Sequence, residues 1–514
     1  MFDASDAPGM GRFGNGNVFG VPVQAAIITE KRILKNLDLI GARDRVLAEH
    51  RARLRYVTDR QKLLVHDGCR YGDFPHITEG LALAVLDNVH REFVPGTDHI
   101  TEDGQAIDQD DVLKFQTKVR SLGTIQQVLK LVRLDPCVQV NSSTFDANPY
   151  VINVLNGVLN LETQELAPHN PVQLVTKLAS VSWIPGAKCP FWESLVDAIS
   201  CHDKALAAYL QRLCGYCLTG STQEEVMPIL YGAGANGKSR FLGAMRDILG
   251  SGEYALTLGT GSILNSKYHG IRCDLRQLEG MRVAFAIEVN QGQTLDEAVV
   301  KSITGGDEVS ARALCQNPVQ FIPQAKIIMA VNHLPGLVGN DHGIRRRIQV
   351  VPFRKRFDGS VKKEEIERQI RAEKDGLFAW MVRGFQEWRK QGLNPPEVVR
   401  KATDDYFASN DHLGEYLSER TVESPAATTP LGNLYDDYKA WAHDCVVKPL
   451  GKHQFSDLLR ARGLEQDRKS STRFWKGVAL KTSSSVVQPG IFRTSTKPQP
   501  TSAETEPSST VLPQ

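Results

Sequence analysis

A glycine-rich motif in the middle of the chain carries the residues best suited to chemistry. It follows the pattern G-x-x-x-x-G-K-[ST], and its residues are Gly232, Ala233, Gly234, Ala235, Asn236, Gly237, Lys238 and Ser239. Glycines let main-chain N–H groups converge on phosphate oxygens, and a following helix adds its positive N-terminal end. The lysine of such a loop reaches the β- and γ-phosphates, and the serine hydroxyl ligates Mg²⁺. The motif therefore predicts a site for ATP and Mg²⁺.

A candidate catalytic carboxylate follows a second apolar run. Residues 283–287 read Val-Ala-Phe-Ala-Ile, which is typical of a buried parallel strand, and Glu288 comes directly after them. Open α/β sheets bind their ligands at the carboxyl ends of such strands. We therefore predict that Glu288 is the catalytic carboxylate and that it joins Ser239 in holding the Mg²⁺ of bound ATP. The alternative is an ordinary solvent-facing glutamate.

A third apolar run, residues 326–331, ends at Asn332. An asparagine at the tip of a strand can hydrogen-bond the γ-phosphate or the attacking water. The same residue could instead merely start a turn before Pro335. We predict a catalytic role for Asn332 because the strand does not stand alone.

Three consecutive arginines, Arg345, Arg346 and Arg347, precede a fourth apolar run at residues 348–353. Adjacent guanidinium groups repel one another unless an anion is near. A phosphate of a neighbouring subunit's nucleotide would provide that anion, as in arginine fingers that act in trans. The sequence therefore predicts Arg346 and Arg347 as catalytic residues, and the alternative is a solvated basic turn.

The elements that must position these groups follow from the spacing of apolar residues. Residues 226–231 predict a strand before the glycine-rich motif and residues 241–249 predict a helix after it. Residues 310–314 and 319–322 alternate around four intervening residues, which predicts a β-hairpin. The expected organisation is a loose N-terminus (1–24), a small α+β region (25–140), a helical region (141–222), an ATPase core (223–360), a helical connector (361–410), a DNA-binding module (411–480) and a loose tail (481–514).

Within the small N-terminal region, residues 29–54 and 77–93 have helical patterns, and residues 54–71 predict a hairpin. The acidic residues Asp108, Asp110 and Asp111 lie in a polar stretch at the start of a helix, where carboxylates are favoured as caps. They do not resemble paired metal ligands on a strand. We therefore expect no primer synthesis by this chain.

Composition and charge limit the classes of function. The chain has 514 residues, of which 41% are hydrophobic and 23% charged, as in soluble globular proteins of several domains. No apolar stretch is long enough to span a bilayer and the N-terminus lacks the layout of a signal peptide, so we expect a cytoplasmic location and no membrane partner. The net charge of +2 means that nucleic-acid binding requires a local basic patch.

The nine cysteines form an odd set that fits reduced thiols better than disulfides. Cys214 and Cys217, with Cys201 and His202 upstream, superficially offer a zinc site. However, the pattern of residues 205–218 is that of an amphipathic helix, in which cysteine behaves as a small buried hydrophobe. We therefore expect core packing and no zinc.

One local basic patch lies near the C-terminus. Residues 448–481 contain nine basic and three acidic residues, a local charge of +6. A helix over residues 452–462 followed by a hairpin that turns at residues 470–471 would make a helix-plus-wing reader of duplex or forked DNA. We predict Lys452, Lys469 and Arg473 as DNA contacts. The alternative is a basic solvated face of a small packing domain.

In their set and order, these motifs resemble those of the superfamily 3 helicases, specifically the phage and plasmid primase–helicase branch that includes the poxvirus primase–helicase. The resemblance covers residues 50–480. The matching positions are 234–239 (first motif), Glu288 (second motif), Lys301 with 304–307 and Arg312 (an intermediate DNA-contacting motif), 332–335 (third motif) and Arg346 with Arg347 (arginine finger).

The resemblance implies an α/β fold with a P-loop core of the AAA+ type, a helical or α+β N-terminal region and a C-terminal winged-helix module. It implies an ATP-dependent, ring-forming and usually hexameric helicase that moves 3′-to-5′ on single-stranded DNA in phage, prophage or plasmid replication. Single-stranded and forked DNA are then its partners, together with a separate primase or replication initiator in a bacterial host. Lys301 and Arg312 would contact the DNA backbone.

Two departures and two alternatives qualify this expectation. Relatives often carry a second acid or amide just after the strand-end glutamate, where this chain has Val289 and Asn290, and the hairpin tip, residues 315–317, is uncharged. The alternatives are a P-loop kinase acting on a small molecule and a replication initiator or loader whose ATP site only controls assembly. Kinases lack the hairpin and the arginine pattern.

Overall fold

The computed structural model describes residues 31–265, 273–287, 292–311, 319–337, 342–359, 361–445, 447, 449–469 and 472–481. Contacts within the chain divide it into two units, one made of Met1–Pro335 and Arg346–Thr403 and the other of Gly336–Arg345 and Asp404–Gln514. Among the helices of the described residues, none combines the length and the apolar character needed to cross a membrane.

The N-terminal region is α+β and has a hydrophobic cluster of its own. A predicted helix over residues 29–54 is wrong in its first part, because the Asp38 carboxylate accepts the N–H of Gly41 at 2.7 Å and starts the helix there. Asp108 likewise caps a helix and accepts the N–H of Asp111 at 2.8 Å, as expected. The elements are β1 (Arg32–Leu34), α1 (Leu39–His50), β2 (Leu54–Val57), β3 (Lys62–His66), β4 (Tyr71–Gly72), α2 (Pro75–Asp87), β5 (His99–Thr101), β6 (Ala106–Ile107), α3 (Gln109–Val119), α4 (Leu122–Val132) and β7 (Gln139–Val140).

A β-hairpin and two helices lead from this region to the central sheet. At the turn of this hairpin Val154 lies opposite Gly157. Cys214 lies in the second helix and Cys217 directly follows the last turn of that helix. Both are fully buried, so the prediction of core packing is confirmed for these two thiols. The elements are β8 (Val151–Val154), β9 (Gly157–Asn160), β10 (Leu166–Ala167), α5 (Pro190–Ile199) and α6 (Lys204–Tyr216).

The central sheet has five parallel strands. Their runs of apolar residues are buried because helices or other elements cover both faces, as parallel sheets require. The elements of this part of the chain are β11 (Met227–Tyr231), α7 (Lys238–Leu249), β12 (Ala255–Leu258), β13 (Val283–Ile287), α8 (Glu297–Thr304), β14 (Val309–Ala311), β15 (Val319–Phe321), β16 (Lys326–Val331), α9 (His342–Arg345) and β17 (Ile348–Pro352).

The spatial order of the central strands is β12-β13-β16-β11-β17. The strand that enters the glycine-rich loop, β11, therefore lies between β16, which Asn332 directly follows, and β17, which follows the three arginines. The strand before Glu288, β13, pairs with the far side of β16. Three further helices follow, and residues of the first two and the start of the third join the same hydrophobic cluster: α10 (Lys363–Ala372), α11 (Lys374–Gln391) and α12 (Glu397–Ser409).

A buried lysine opens β16 at the amino-terminal edge of this sheet. Lys326 is 3% exposed, its ammonium lies 5.0 Å from the ring centroid of Tyr216, and it donates to the carbonyl oxygens of Thr219 and Gln324. Burial lowers the pKa of Lys326 to about 7. Removing an ammonium from water disfavours its charged form, which explains the direction of this shift.

This lysine should make stability depend on pH. Between about pH 7 and 10 the unfolded chain binds the proton more readily than the folded chain, so the free energy of unfolding should rise with pH in this window. Lys326→Met should flatten that rise, measured as the urea midpoint at pH 7.5 and pH 9.5. Lys62→Met, at an exposed lysine, is the control. An unchanged pH dependence in Lys326→Met would contradict the assignment.

The second unit contains a helical and antiparallel module. Its three strands pair in the order β18-β20-β19, and its helices bury Tyr438, Phe455 and Trp475 against them. The predicted helix and hairpin near the C-terminus are therefore confirmed. The elements are α13 (His412–Arg420), β18 (Thr421–Pro430), α14 (Leu431–Asp444), α15 (Lys452–Ala461), β19 (Gln466–Lys469) and β20 (Thr472–Leu480).

Candidate nucleotide and nucleic-acid sites

The glycine-rich loop joins β11 to α7 at the carboxyl edge of the central sheet. Gly234, Ala235 and Gly237 adopt positive φ values of 97°, 49° and 86°, a backbone that bends repeatedly and turns N–H groups to one side. A side chain at Gly232 would collide with the Asn236 side chain and the carbonyl oxygen of Phe353. No side chain among the described residues caps α7, which leaves the N–H groups of its first turn available to an anion. The loop therefore fits a phosphate group.

Lys238 links this loop to the neighbouring strand. Its ammonium donates to the Gly232 carbonyl at 2.6 Å, to Asn236 Oδ1 at 3.0 Å and to Asn332 Oδ1 at 3.0 Å. Lys238 is only 6% exposed, and burial lowers the pKa of its ammonium. Because Tyr231 of β11 pairs with Val331 of β16, the ends of both strands lie at one edge of the sheet. The structure thus brings Lys238 and Asn332 together, as their sequence positions predicted.

Ser239 lies exposed in the first turn of α7, beside Lys238. A hydroxyl at this position can reach a metal ion held by phosphates in the loop, so the residues present fit ATP with Mg²⁺. Glu288 and its neighbours lie outside the described residues. The predicted carboxylate therefore stays a prediction, supported by the position of β13 in the sheet.

The segment after β17 also contacts the loop, which the sequence analysis missed. The Phe353 carbonyl accepts from Asn236 Nδ2 at 3.2 Å, and the N–H of Phe357 donates to the Ala235 carbonyl at 2.8 Å. The three residues between these anchors are Arg354, Lys355 and Arg356, and all are exposed. A run of three cations directly after a core strand was the sequence signal that could have revealed this basic rim.

The three consecutive arginines have different surroundings. Arg346 lies 2.6 Å from a carboxylate oxygen of Glu225, and 49% of its side chain is exposed. Arg347 lies 3.2 Å from the same oxygen and is only 10% exposed in its side chain, and its Nε donates to Thr304 Oγ1 at 3.0 Å. Arg345 belongs to the other unit, where it pairs with Asp404 at 2.8 Å.

These surroundings separate the two predicted fingers. A guanidinium that must reach a neighbouring subunit has to be exposed, and Arg346 meets this requirement. Arg347 is anchored inside its own chain. This argues against a role as a finger and favours a role in positioning other residues. Neither Glu225 nor Thr304 was singled out from the sequence as a partner of these arginines.

The predicted hairpin is present as the antiparallel pair β14 and β15, with Ser310 opposite Gln320. Its connecting residues, and with them Arg312, lie outside the described residues. Lys301 lies half-buried on α8, one turn before Thr304. Lys301 therefore comes shortly before the hairpin in the sequence, and its contact with DNA stays a prediction.

The basic residues of the second unit lie on a helix and on a hairpin. Lys452 is exposed at the start of α15, with its ammonium 5.7 Å from the ring centroid of Tyr435. On the hairpin, Arg468 of β19 lies directly opposite Arg473 of β20, and both are exposed. Like charges in opposing positions are unfavourable without an anion to offset them. Lys469 is the last residue of β19.

Two family models match the chain, one described as D5 N terminal like over residues 43–201 and one described as a family of unknown function over residues 230–347. An Acanthamoeba polyphaga mimivirus protein named as a candidate helicase is 25% identical over 323 residues, 58% of this chain and 33% of that protein. An African swine fever virus protein named as a candidate primase is 25% identical over 400 residues, 72% of this chain and 41% of that protein. The chain thus spans less than half the length of these relatives.

Among solved structures, the apo C-terminal region of NrS-1 matches 87% of this chain and 100% of its own length, with 9% identity and a TM-score of 0.47. The fold itself is mixed α/β, with a phosphate-fitting loop at the carboxyl edge of a parallel sheet. The family and relative matches, together with the motifs, support the resemblance of the chain to the phage and viral primase–helicase-like branch of the superfamily 3 helicases.

Proposed function

We propose that the chain is an ATP-dependent DNA helicase that assembles into a ring, a hexamer of the AAA+ type, and moves 3′-to-5′ on single-stranded DNA during replication. The observation that carries this proposal is the contact between Lys238 and Asn332 at the carboxyl edge of the central sheet. It joins the phosphate-fitting loop to the strand tip at which the resemblance expects a group that senses the γ-phosphate.

The strand order supports the AAA+ assignment of the core. Numbered by their place in the core, the five strands lie in the order 2-3-4-1-5, so one strand separates the loop strand from the strand before Glu288. This spacing leaves room between the phosphates and a carboxylate for an attacking water. If β11 paired directly with β13, less room would remain for that water.

Each residue then has a role in the proposed reaction. The loop N–H groups and Lys238 bind the phosphates, Asn332 orients the γ-phosphate or the water, and Glu288 accepts a proton from that water. Bound Mg²⁺ supplies charge neutralisation between phosphate oxygens. Arg346 stabilises transition-state charge at a neighbouring subunit's site, which is why a ring is required.

The module in the second unit supports DNA as the substrate of the proposed helicase. Its order of helix, strand, two helices and two strands, with the sheet order β18-β20-β19, supports the assignment of this module as a winged helix. In this arrangement α15 is the helix available to a DNA groove, and the β19–β20 hairpin is the wing. Lys452, Lys469 and Arg473 lie on these two elements, whereas Trp475 is buried and serves the core.

Fork unwinding tests the proposal. The purified chain should unwind a fork with a 3′ single-stranded overhang in the presence of ATP and Mg²⁺, and it should do so far more slowly from a 5′ overhang. Glu288→Gln should bind ATP and fail to unwind. ATP turnover without unwinding from either overhang would contradict a helicase and favour a loader.

The exposed cations of the module should determine the salt dependence of DNA binding. Lys452→Gln and Arg473→Gln should each weaken binding to forked DNA and lower the slope of log affinity against log salt by about one. Lys390→Gln removes the same charge at an exposed residue of the other unit and should leave the slope unchanged. Equal slopes for all three variants would assign DNA binding elsewhere.

A further inference from the structure

The buried guanidinium of Arg347 joins three segments of the first unit. Its side chain donates from Nε to Thr304 Oγ1 at 3.0 Å and lies 3.2 Å from a carboxylate oxygen of Glu225. Its carbonyl accepts the N–H of Met227 at 2.7 Å, at the start of the strand that enters the glycine-rich loop. Arg347 therefore holds the end of α8, the approach to β11 and its own segment together.

The Thr304 end of this network is the entry to the hairpin. Thr304 is the last residue of α8, and five residues later the chain enters β14. Its hydroxyl donates to the Val300 carbonyl at 2.6 Å, so its oxygen is the acceptor for Arg347. A Cβ at Gly305 would lie 3.3 Å from the Arg347 guanidinium. The turn that starts at Gly305 therefore packs closely against Arg347.

At the other end of this network, Glu225 contacts the candidate arginine finger, Arg346. One carboxylate oxygen lies 2.6 Å from Arg346 and 3.2 Å from Arg347, so the exposed and the buried arginine share a counterion. A change in the position of Arg347 changes the charge that Glu225 offers to Arg346. Hydrogen bonds and ion pairs thus connect Thr304, just before the turn that leads into the hairpin, with Arg346 without a break.

We propose that Arg347 is a positioning residue through which DNA at the β14–β15 hairpin sets the rate of ATP hydrolysis. DNA displaces the turn after Thr304, Arg347 follows, and Glu225 releases or retains Arg346 accordingly. This inference rests on the proposed helicase function. It adds the contacts through which DNA binding is coupled to ATP hydrolysis.

The test is the ratio of ATP turnover with saturating single-stranded DNA to turnover without DNA. Thr304→Val removes the acceptor at constant shape, and Arg347→Lys keeps the charge without the Nε contact. Each should lower the ratio at least about five-fold, and the double variant should lower it no further. A merely structural contact would leave the ratio unchanged, because a loss of folded protein lowers turnover with and without DNA equally.

Thr403→Val is the matched control. Thr403 also donates its hydroxyl to the carbonyl four residues earlier, at 2.7 Å, and accepts from the chain just after the arginines, at the N–H of Val350, 2.9 Å away. It does not touch Arg347, so its ratio should equal that of the wild type. Nucleotide affinity and circular dichroism establish that each variant is folded.

The outcomes separate the two proposals. A wild-type chain that hydrolyses ATP at the same rate with and without DNA overturns both. Stimulation of the wild type with an unchanged ratio in Thr304→Val and Arg347→Lys overturns the coupling inference alone. An equal loss in Thr403→Val also overturns it, because general loosening of the fold would then explain the effect.

Discussion

Lys238→Ala should lower ATP turnover by at least about 100-fold, the loss typical of removing a preorganised group that stabilises transition-state charge. In the structure the Lys238 ammonium has three oxygen acceptors and is almost fully buried, so it is held in place before any ligand arrives. Such a group costs little reorganisation during the reaction. Turnover is measured by phosphate release at saturating ATP, alongside nucleotide affinity.

The control for this variant lies on the same helix. Arg246→Gln removes an exposed positive charge two turns further along α7, and it should leave turnover within a factor of about three. A Lys238→Ala chain that retains most of its turnover would show that the loop is not the catalytic nucleotide site. Loss of turnover in both variants would instead point to destabilisation of α7.

Arg346→Ala should lower turnover by about 1,000-fold or more, as expected for loss of an arginine finger. The physical reason is that Arg346 combines exposure with a weakly held position, since its ion pair with Glu225 is half-exposed and such pairs contribute about 1 kcal/mol or less. It can therefore leave Glu225 for a more highly charged phosphate. Arg345→Ala, at the exposed neighbour that pairs with Asp404, is the matched control and should keep its turnover.

Mixing two inactive chains tests whether Arg346 acts in trans. In an equimolar mixture of Arg346→Ala and Lys238→Ala chains, about a quarter of the interfaces would join an intact Lys238 to an intact Arg346. Turnover should then recover to a comparable fraction of the wild-type rate. No recovery in assemblies shown to be mixed would contradict a finger in trans.

Much of the architecture could be predicted because it is local. The spacing of apolar residues located four of the five strands of the central sheet, all except β12, and the carboxylate of Asp108 identified a helix start. The helix at residues 29–54 was predicted too long because a helical pattern does not reveal where the Asp38 cap starts the helix or that Arg32–Leu34 pair with a distant strand. Pairing partners far apart in sequence leave no local signal.

The same distinction between local and distant signals applies to the candidate site. The glycine-rich motif, Asn332 and the arginines could be found from residue type and order, because phosphate chemistry restricts which residues can serve. Their partners could not, since Glu225 and Thr304 lie far from Arg347 in sequence. The basic rim after β17 was likewise missed, because its anchoring to the loop depends on main-chain contacts.

The sequence by itself carried the resemblance to the superfamily 3 helicases, since that resemblance rests on the set and order of the motifs. It also determined which segments carry charge and which form the sheet. Only the tertiary structure distinguished the arginines, because exposure and the identity of a counterion depend on packing. Arg346 and Arg347 are adjacent and chemically identical, yet one is exposed and the other is anchored to Thr304 and Glu225.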